Sequence, residues 1–298
     1  MKTFFLLGLL SFNAVGATLS EQVNAAKKIA NTDPSCVAIR PFYWEIGDGL
    51  SALVSGSAGI GAPTAKTELE IASASKWIFS AYVAQKRSGQ LTVSDKNHLR
   101  FLTGYDQFTS CLGSQTVDGC FQSGSNNDQT ISSIGKFAYG GGHMQKLAVG
   151  MGLGDLTSSG LAVEVNSTLG IKSSYSSPQP AGGMEMTAQD YGFFLRKLLN
   201  NKLQLSNFLG VNPVCTTESS CPLSVVSSPA PMGWEYSYGH WVESDGVFSS
   251  PGKFGFYPWM DKTNGLYGVV GRKSADHEAY LTSVECGQKI RNAFFSGK

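Results

Sequence analysis

A serine and a lysine stand three positions apart in the segment EIASASKWIF, which begins at Glu70. Residues three apart share one face of a helix, so this spacing places the hydroxyl of Ser73 beside the amine of Lys76. A serine hydroxyl becomes an effective nucleophile when a base takes its proton, and a lysine in apolar surroundings can be that base. The spacing indicates attack on a carbonyl, with free N–H groups at a helix start holding the oxyanion. The same residues also fit a small side chain packed at the start of a buried helix.

Other catalytic sites are not indicated. The sequence has no G-x-S-x-G elbow, which disfavours an ordinary α/β-hydrolase, and no H-E-x-x-H motif for zinc. Its four histidines are scattered, and no cysteines stand at the spacing of metal ligands. We therefore expect neither a metal nor an organic cofactor.

The composition excludes one class of partner. The chain has 298 residues, of which 42% are hydrophobic and 15% charged, and its formal net charge is +1. This length supports one large domain, or two interleaved subdomains, around a sizeable core. The near-neutral charge gives no electrostatic footprint for nucleic acid, so we expect no nucleic-acid partner.

The first residues, MKTFFLLGLLSFNAVGA, have the pattern of a secretory signal peptide. The basic Lys2 precedes an apolar run over residues 4–10, and small residues lead to a cleavage site after Ala17. The apolar run is shorter than the roughly 18 residues that a membrane anchor needs. We expect an exported protein, periplasmic or secreted, with residues 1–17 removed and no stable membrane span.

Six cysteines follow the signal segment, and an even number in an exported protein favours disulfides over free or metal-bound thiols. Two pairs each enclose a short polar loop, and the remaining pair ties the two chain ends together. The expected bridges are Cys111–Cys120, Cys215–Cys221 and Cys36–Cys286.

The elements that must position Ser73 are predicted from periodicity. Apolar residues at helical spacing indicate helices over residues 73–87 and in HMQKLAVGMG, MTAQDYGFFLRKLLNN and AYLTSVECGQKIRNAFF. Alternating segments indicate strands near both chain ends, first FYWEIGDG and LSALVSGSAG, then HWVESDGVFSS, KFGFYPWMD and LYGVVGR. Residues 106–133 are rich in Gly, Ser, Asn and Gln and are predicted to form a long surface loop.

These elements predict an α+β fold with one antiparallel sheet built from both chain ends and a mostly helical middle. No linker or internal repeat divides the chain, so we expect a single domain over residues 18–298. Within it, about 18–72 and 225–298 form the sheet subdomain, and about 73–224 form the helical subdomain.

Three long segments resemble the β-lactamase-related serine hydrolases. The first, ELEIASASKWIFSAYVAQKRSGQLTVSDK, is similar to the start of these enzymes, in which S-x-x-K opens a long helix. Residues 167–200 and 252–270 resemble two later segments, around AGGMEMTAQD and around KFGFYPW. The resemblance runs in order over about residues 35–295 and implies a β-lactamase/transpeptidase-like fold. The superfamily includes class C β-lactamases, D-alanyl-D-alanine carboxypeptidases, family VIII esterases and 6-aminohexanoate-dimer hydrolases.

The resemblance implies roles for two motifs. Ser73 is the nucleophile, and Lys76 manages its proton. Tyr139, in FAYGGGHMQKL, matches the tyrosine of the family's Tyr-x-Asn element and acts as, or shares, the general base. Gly141 stands where the family has asparagine, and either His143 supplies a polar group in its place or this histidine is structural.

The family's third element, Lys-Thr-Gly, corresponds to Ser250-Pro251-Gly252. Gly252 matches the small residue that leaves room for substrate, and the N–H of Lys253 is expected to complete the oxyanion site with that of Ser73. The family's cation, which helps hold the carboxylate of β-lactam substrates, is replaced by Ser250. Lys253 is a candidate to compensate for this cation, but on a strand that begins near Lys253 the lysine side chain would point away from Ser250. Four aromatic residues before this strand either rim the substrate site or pack in the core: Trp234, Tyr236, Tyr238 and Trp241.

Together these features predict an exported serine hydrolase that forms an acyl-enzyme with a small-molecule or short-peptide substrate, an ester or an amide. The alternative is a β-lactamase or D-alanyl-D-alanine carboxypeptidase that acts on β-lactams or cell-wall peptides. The departures at Gly141 and Ser250 leave a third hypothesis, an inactive homologue that binds peptidoglycan or a protein partner.

Overall fold

The structure is a computed structural model that describes residues 17–230, 232–276 and 278–298. The predicted signal peptide lies outside the described residues, apart from Ala17. The helices are α1 Leu19–Thr32, α2 Pro34–Ala38, α3 Ser75–Lys86, α4 Val93–Leu99, α5 Val117–Phe121, α6 Gly142–Ala148, α7 Ser158–Leu169, α8 Ala188–Leu199 and α9 Ala279–Ser296. The strands are β1 Phe42–Asp48, β2 Ala52–Ala58, β3 Glu68–Glu70, β4 Phe137–Ala138, β5 Ser174–Tyr175, β6 Met184–Thr187, β7 Val214–Cys215, β8 Val225–Ser227, β9 Glu235–Ser237, β10 His240–Val242, β11 Phe248–Ser249, β12 Tyr257–Asp261 and β13 Leu266–Gly271.

The main sheet is antiparallel, with the strand order β2-β1-β13-β12-β11-β10-β9-β7. Strand β1 pairs with β13 from Tyr43 opposite Gly271 to Asp48 opposite Leu266, so the first and last strands of the chain lie side by side. This arrangement confirms the predicted α+β fold with a sheet built from both chain ends. The edge strand β7 comes from the range 73–224, which the sequence assigns to the helical subdomain.

Helices cover both faces of the main sheet. Tyr267 and Val270 stand three apart on β13, so their side chains point to opposite faces. A Cβ on Gly192 of α8 would meet Tyr267, whereas a Cβ on Gly287 of α9 would meet Val270. The two helices therefore pack on opposite sides, and α1 lies against α9. All of β1 up to residue 47 is buried between these layers, which explains its nearly continuous apolar sequence.

Three disulfides fasten this arrangement. The bond Cys36–Cys286 joins α2 to α9, and therefore one end of the chain to the other. The bonds Cys111–Cys120 and Cys215–Cys221 close short loops. These are the pairs expected from the sequence. In the part of the chain that the structure describes, no helix has both the length and the apolar character needed to cross a bilayer.

Helices α5 and α7 illustrate where the structure departs from the sequence prediction. Helix α7 is not predicted, because its segment SSGLAVEVNSTL is rich in residues of modest helix propensity. Its buried residues Leu161, Val165 and Leu169 recur every fourth position, and it packs against α3, so tertiary contacts stabilise it. Residues 106–133, predicted as a loop, contain the short helix α5.

Candidate active site

Ser73 lies in a 3₁₀ turn, Ala72–Ala74, between β3 and the start of α3, and so precedes the helix that the sequence begins at residue 73. Ala72 has a φ of 45°, in the left-handed region that a residue with a Cβ rarely adopts. Such strain persists only where the surroundings hold it, and it is common at functional sites. The Ser75 hydroxyl donates to the Ala72 carbonyl at 2.6 Å, and the Tyr191 hydroxyl of α8 donates to the Ala74 carbonyl at 2.9 Å.

Lys76 approaches the Ser73 hydroxyl from the first turn of α3. Its Nζ lies 2.9 Å from Ser73 Oγ and donates to the Ala181 carbonyl at 2.8 Å. The lysine is only 4% exposed and forms no salt bridge with any carboxylate among the described residues. Burial lowers the pKa of Lys76 to about 7. A neutral amine here can donate to Ala181 while it accepts the proton of Ser73.

Tyr139 completes this group from the end of β4. Lys76 Nζ lies 4.8 Å from the centre of the Tyr139 ring, which stacks on Trp241 at 5.3 Å between ring centroids. Burial raises the pKa of Tyr139 to about 12, although the polar groups of Ser73 and Trp241 act in the opposite direction. Tyr139 is therefore a neutral phenol over the ordinary pH range, and it can donate a proton.

Ser250 contacts the backbone of Ser73. Its hydroxyl donates to the Ser73 carbonyl at 3.1 Å, and its N–H donates to the Pro258 carbonyl at 3.3 Å. The residue is 2% exposed. The Ser250 hydroxyl is thus engaged by the backbone carbonyl of Ser73.

Gly252 is required for a close approach between two backbone segments. A Cβ at this position would lie 2.1 Å from the Ile71 carbonyl oxygen. The Gly252 N–H donates to the Phe256 carbonyl at 2.7 Å and closes a turn, so β12 begins at Tyr257. This corrects the sequence expectation of a strand beginning near Lys253. Because Lys253 stands in the turn, strand alternation does not direct its side chain away from the site.

The N–H groups of Ser73 and Lys253 are candidates for the oxyanion site. In the 3₁₀ turn, the N–H of Ala74 donates to the Ile71 carbonyl and that of Ser75 to the Ala72 carbonyl, whereas the Ser73 N–H has no hydrogen-bond partner in the described part of the chain. Among the described residues, the N–H of Lys253 also has no hydrogen-bond partner.

Gly141 and His143 are not among the residues that line the cavity at Ser73. A Cβ on Gly141 would lie 2.9 Å from the ring of Phe108, so a larger residue here would require that ring to shift. His143 is fully buried, with Nδ1 2.7 Å from the Thr103 hydroxyl and Nε2 2.9 Å from the Ala138 carbonyl. Since Ala138 can only accept there, Nε2 carries the proton and Nδ1 accepts from Thr103. Both ring nitrogens are engaged in the core, which supports the structural role of His143 and not the substitute for the missing amide.

A cavity of about 440 Å³ opens over Ser73. It is lined by Ser73, Tyr139, Pro229, Ala230, Met232, Trp234, Trp241, Pro251, Lys253, Glu278 and Tyr280. Of the four aromatic residues left open by the sequence, Trp234 and Trp241 line the cavity, whereas Tyr236 and Tyr238 are buried in the core. The sequence gives no sign of the contributions of Met232, Glu278 or Tyr280.

No protein-family model and no curated protein matches the sequence. Three solved structures are similar to the chain. One is EstCE1, described as a hydrolase with promiscuous acyltransferase activity, with a TM-score of 0.61 and 13% identity over 93% of this chain and 99% of that one. Another is a penicillin-binding protein from Bacillus halodurans, with a TM-score of 0.60 and 14% identity over 83% and 95% of the two chains. The third is simvastatin synthase (LovD) from Aspergillus terreus, with a TM-score of 0.60 and 12% identity over 92% and 98%. At these identities the likeness establishes a shared fold.

Proposed function

We propose, from the premise that this chain has the β-lactamase/transpeptidase-like fold, that it is a serine hydrolase acting through an acyl-enzyme on an ester or an amide. The observation that carries the proposal is the 2.9 Å contact between the buried amine of Lys76 and the hydroxyl of Ser73. The pKa of Lys76, lowered to about 7, makes a large share of the amine uncharged near neutral pH. An uncharged amine in contact with a hydroxyl is a general base beside a nucleophile.

In the acylation step, Lys76 takes the proton of Ser73 while Oγ attacks the carbonyl carbon of the substrate. The carbonyl becomes a tetrahedral oxyanion, which accepts hydrogen bonds from the N–H groups of Ser73 and Lys253. Ser250 and Gly252 act as positioning residues, because they hold the two backbone segments that carry these N–H groups.

Collapse of the tetrahedral intermediate breaks the bond to the leaving group, which needs a proton. Tyr139 relays it: the phenol gives its proton to the leaving group and takes another from the ammonium of Lys76. The pKa of Tyr139, raised to about 12, keeps the phenol protonated between turnovers. Water then attacks the acyl-enzyme with the same groups acting in reverse, and it releases the acid and Ser73.

A neutral ester or amide of modest size fits the cavity best. Most of the wall is apolar, and the volume of about 440 Å³ suits a small molecule. The Ser250 hydroxyl is already donated to the Ser73 carbonyl, so it offers no anchor to a substrate carboxylate.

One observation favours a second candidate, hydrolysis of a β-lactam or a D-alanyl peptide. Lys253 lines the cavity, and its ammonium is a possible partner for a carboxylate. A penicillin-binding protein is also among the structures with the same fold. The third hypothesis, an inactive homologue that binds peptidoglycan or a protein partner, rests on the departures at Gly141 and Ser250. The grouping of Ser73, Lys76 and Tyr139 argues against it.

We also propose that the protein acts after export, in the periplasm or outside the cell. Three disulfides fit an oxidising compartment, and the first 17 residues have the pattern of a signal peptide.

The test is to treat the purified mature protein with a fluorophosphonate probe and with a labelled penicillin, alongside Ser73→Ala. Labelling by fluorophosphonate alone, lost in Ser73→Ala, is the result we expect for an esterase or amidase. Labelling by penicillin would favour the cell-wall candidate. Labelling by neither probe, with wild type and variant identical, would contradict the hydrolase and favour the inactive homologue.

A further inference from the structure

Two side chains on the wall of the catalytic cavity carry charges of opposite sign. They are Lys253, in the turn after Ser250, and Glu278, immediately before α9. Both are exposed to solvent. The other cavity residues are apolar, aromatic or hydroxylic. The charge that a substrate meets on this wall therefore depends on these two side chains.

Among the described residues, the carboxylate of Glu278 makes neither a helix cap nor a salt bridge. It precedes the first residue of α9, yet its side chain does not cap the helix. Its backbone N–H donates to the carboxylate of Asp276 at 3.0 Å, and its backbone carbonyl accepts from the Leu281 N–H at 2.9 Å. Within the described residues, the Glu278 carboxylate takes part in no salt bridge.

The carboxylate does act on the cavity electrostatically. Burial is the main cause that raises the pKa of Tyr280, and the negative charge of Glu278 adds to it. Tyr280 is itself a wall residue, and its hydroxyl donates to the Pro229 carbonyl, also on the wall, at 2.8 Å. Glu278 is therefore close enough to Tyr280 for its charge to act on a neighbouring residue of the wall.

We propose that Glu278 is a specificity-determining residue that offsets the charge of Lys253 and directs the site toward substrates without a carboxylate. The inference rests on the proposed hydrolase function. Ser250 is committed to the Ser73 carbonyl, so Lys253 is the cation that would otherwise receive a substrate carboxylate. With Glu278 on the same wall, an anionic substrate is attracted by Lys253 and repelled by Glu278. The site therefore favours neutral substrates over anionic ones.

The test compares three aryl esters that share one leaving-group skeleton: phenyl acetate, 3-carboxyphenyl acetate and 3-(trimethylammonio)phenyl acetate. The measured quantity is kcat/KM for each charged ester divided by that for the neutral ester. We expect Glu278→Gln to raise the ratio for the anion roughly three- to tenfold, as for one charge removed near a partly solvated site, and to lower the ratio for the cation. Lys253→Gln is expected to move both ratios in the opposite direction.

Asp155→Asn is the matched control, because it removes the same unit of charge from an exposed position outside the cavity. Its ratios should equal those of the wild type. If Glu278→Gln changes the ratios no more than Asp155→Asn does, the specificity role of Glu278 is wrong while the hydrolase stands. If the wild type hydrolyses none of the esters, or Ser73→Ala hydrolyses them equally well, the proposed function fails and this inference fails with it.

Discussion

The Nζ of Lys76 lies 2.9 Å from the Oγ of Ser73, and its other hydrogen-bond partner is a backbone carbonyl, that of Ala181. No described carboxylate forms a salt bridge with this amine, so no ion pair offsets the cost of burying its charged form. The arrangement favours the neutral amine, which is the form that can accept a proton from serine.

The first prediction concerns pH. We expect the second-order rate constant for fluorophosphonate labelling to rise as pH increases through about 7, because the Lys76 pKa is lowered to about 7 and acylation needs the neutral amine. The pKa of His143 is lowered to about 4, so this histidine titrates below that limb. The pKa of Tyr139 is raised to about 12, so a plateau should follow at alkaline pH. A labelling rate that stays flat or falls from about pH 6 to about pH 8, the interval around the Lys76 pKa, would contradict the role of Lys76 as base.

The second prediction is that Lys76→Met removes activity but stabilises the protein. Each unit of pKa lowering costs about 1.4 kcal/mol, so the folded state pays roughly 4–5 kcal/mol at pH 7 for burying this lysine. The variant leaves the Ala181 carbonyl without its donor, at a cost of roughly 1–3 kcal/mol. We therefore expect a net gain of about 1–4 kcal/mol in the free energy of unfolding.

The size of this gain in stability depends on pH. The folded pKa is below the unfolded one, so the unfolded chain binds more protons and the wild type gains stability as pH rises from about 7 toward the ordinary lysine pKa of about 10.4. The advantage of Lys76→Met, measured by denaturant unfolding, should shrink over that interval. An advantage that stays constant or grows with pH would show that Lys76 is not held neutral by burial.

The third prediction separates positioning from binding at Ser250. Ser250→Ala removes the hydrogen bond to the Ser73 carbonyl, worth about 0.5–1.5 kcal/mol, so kcat should fall roughly three- to tenfold with little change in KM. Ser249→Ala is the matched control, because the Ser249 hydroxyl is buried without a partner among the described residues. A rise in KM with kcat unchanged would mean that Ser250 binds substrate instead.

The fourth prediction tests the close approach at Gly252. Gly252→Ala places a methyl group 2.1 Å from the Ile71 carbonyl, so the segment carrying Lys253 must move and the oxyanion site opens. We expect kcat to fall roughly a hundredfold, the effect of losing one oxyanion donor. Gly150→Ala is the control, because a Cβ there meets nothing within 4 Å, and its activity should stay at the wild-type level. Equal activity in the two variants would rule out the role assigned to Gly252.

The parts of the fold and site that depend on local patterns could be predicted from the sequence. Alternation and glycine punctuation indicated the strands at both chain ends, and β1 does pair with β13. Ser73 and Lys76 are three residues apart, so one turn of the chain suffices to bring hydroxyl and amine together. Helix α7 could not be predicted from the sequence, because its packing against α3 stabilises it more than its composition does.

The remaining site features depend on long-range contacts that leave no mark in the sequence. The Ala181 carbonyl that holds Lys76 is a backbone group 105 residues away, and any residue type could supply it. The bond from Ser250 to the Ser73 carbonyl depends on how the turn after β11 packs against the turn that contains Ser73. Glu278 reads as an ordinary surface acid until α9 is placed beside the cavity.

An acyl group on Ser73 is the species that defines the proposed chemistry. The direct measurement is to quench turnover of phenyl acetate with acid, digest the protein and map the acetylated peptide by mass spectrometry, with Ser73→Ala in parallel. We predict one acetyl group, on the peptide that contains Ser73, and none on the corresponding peptide of the variant. Turnover by the wild type with no acetyl group on Ser73, or with the same acetylation elsewhere in both proteins, would contradict the role of Ser73 as the nucleophile.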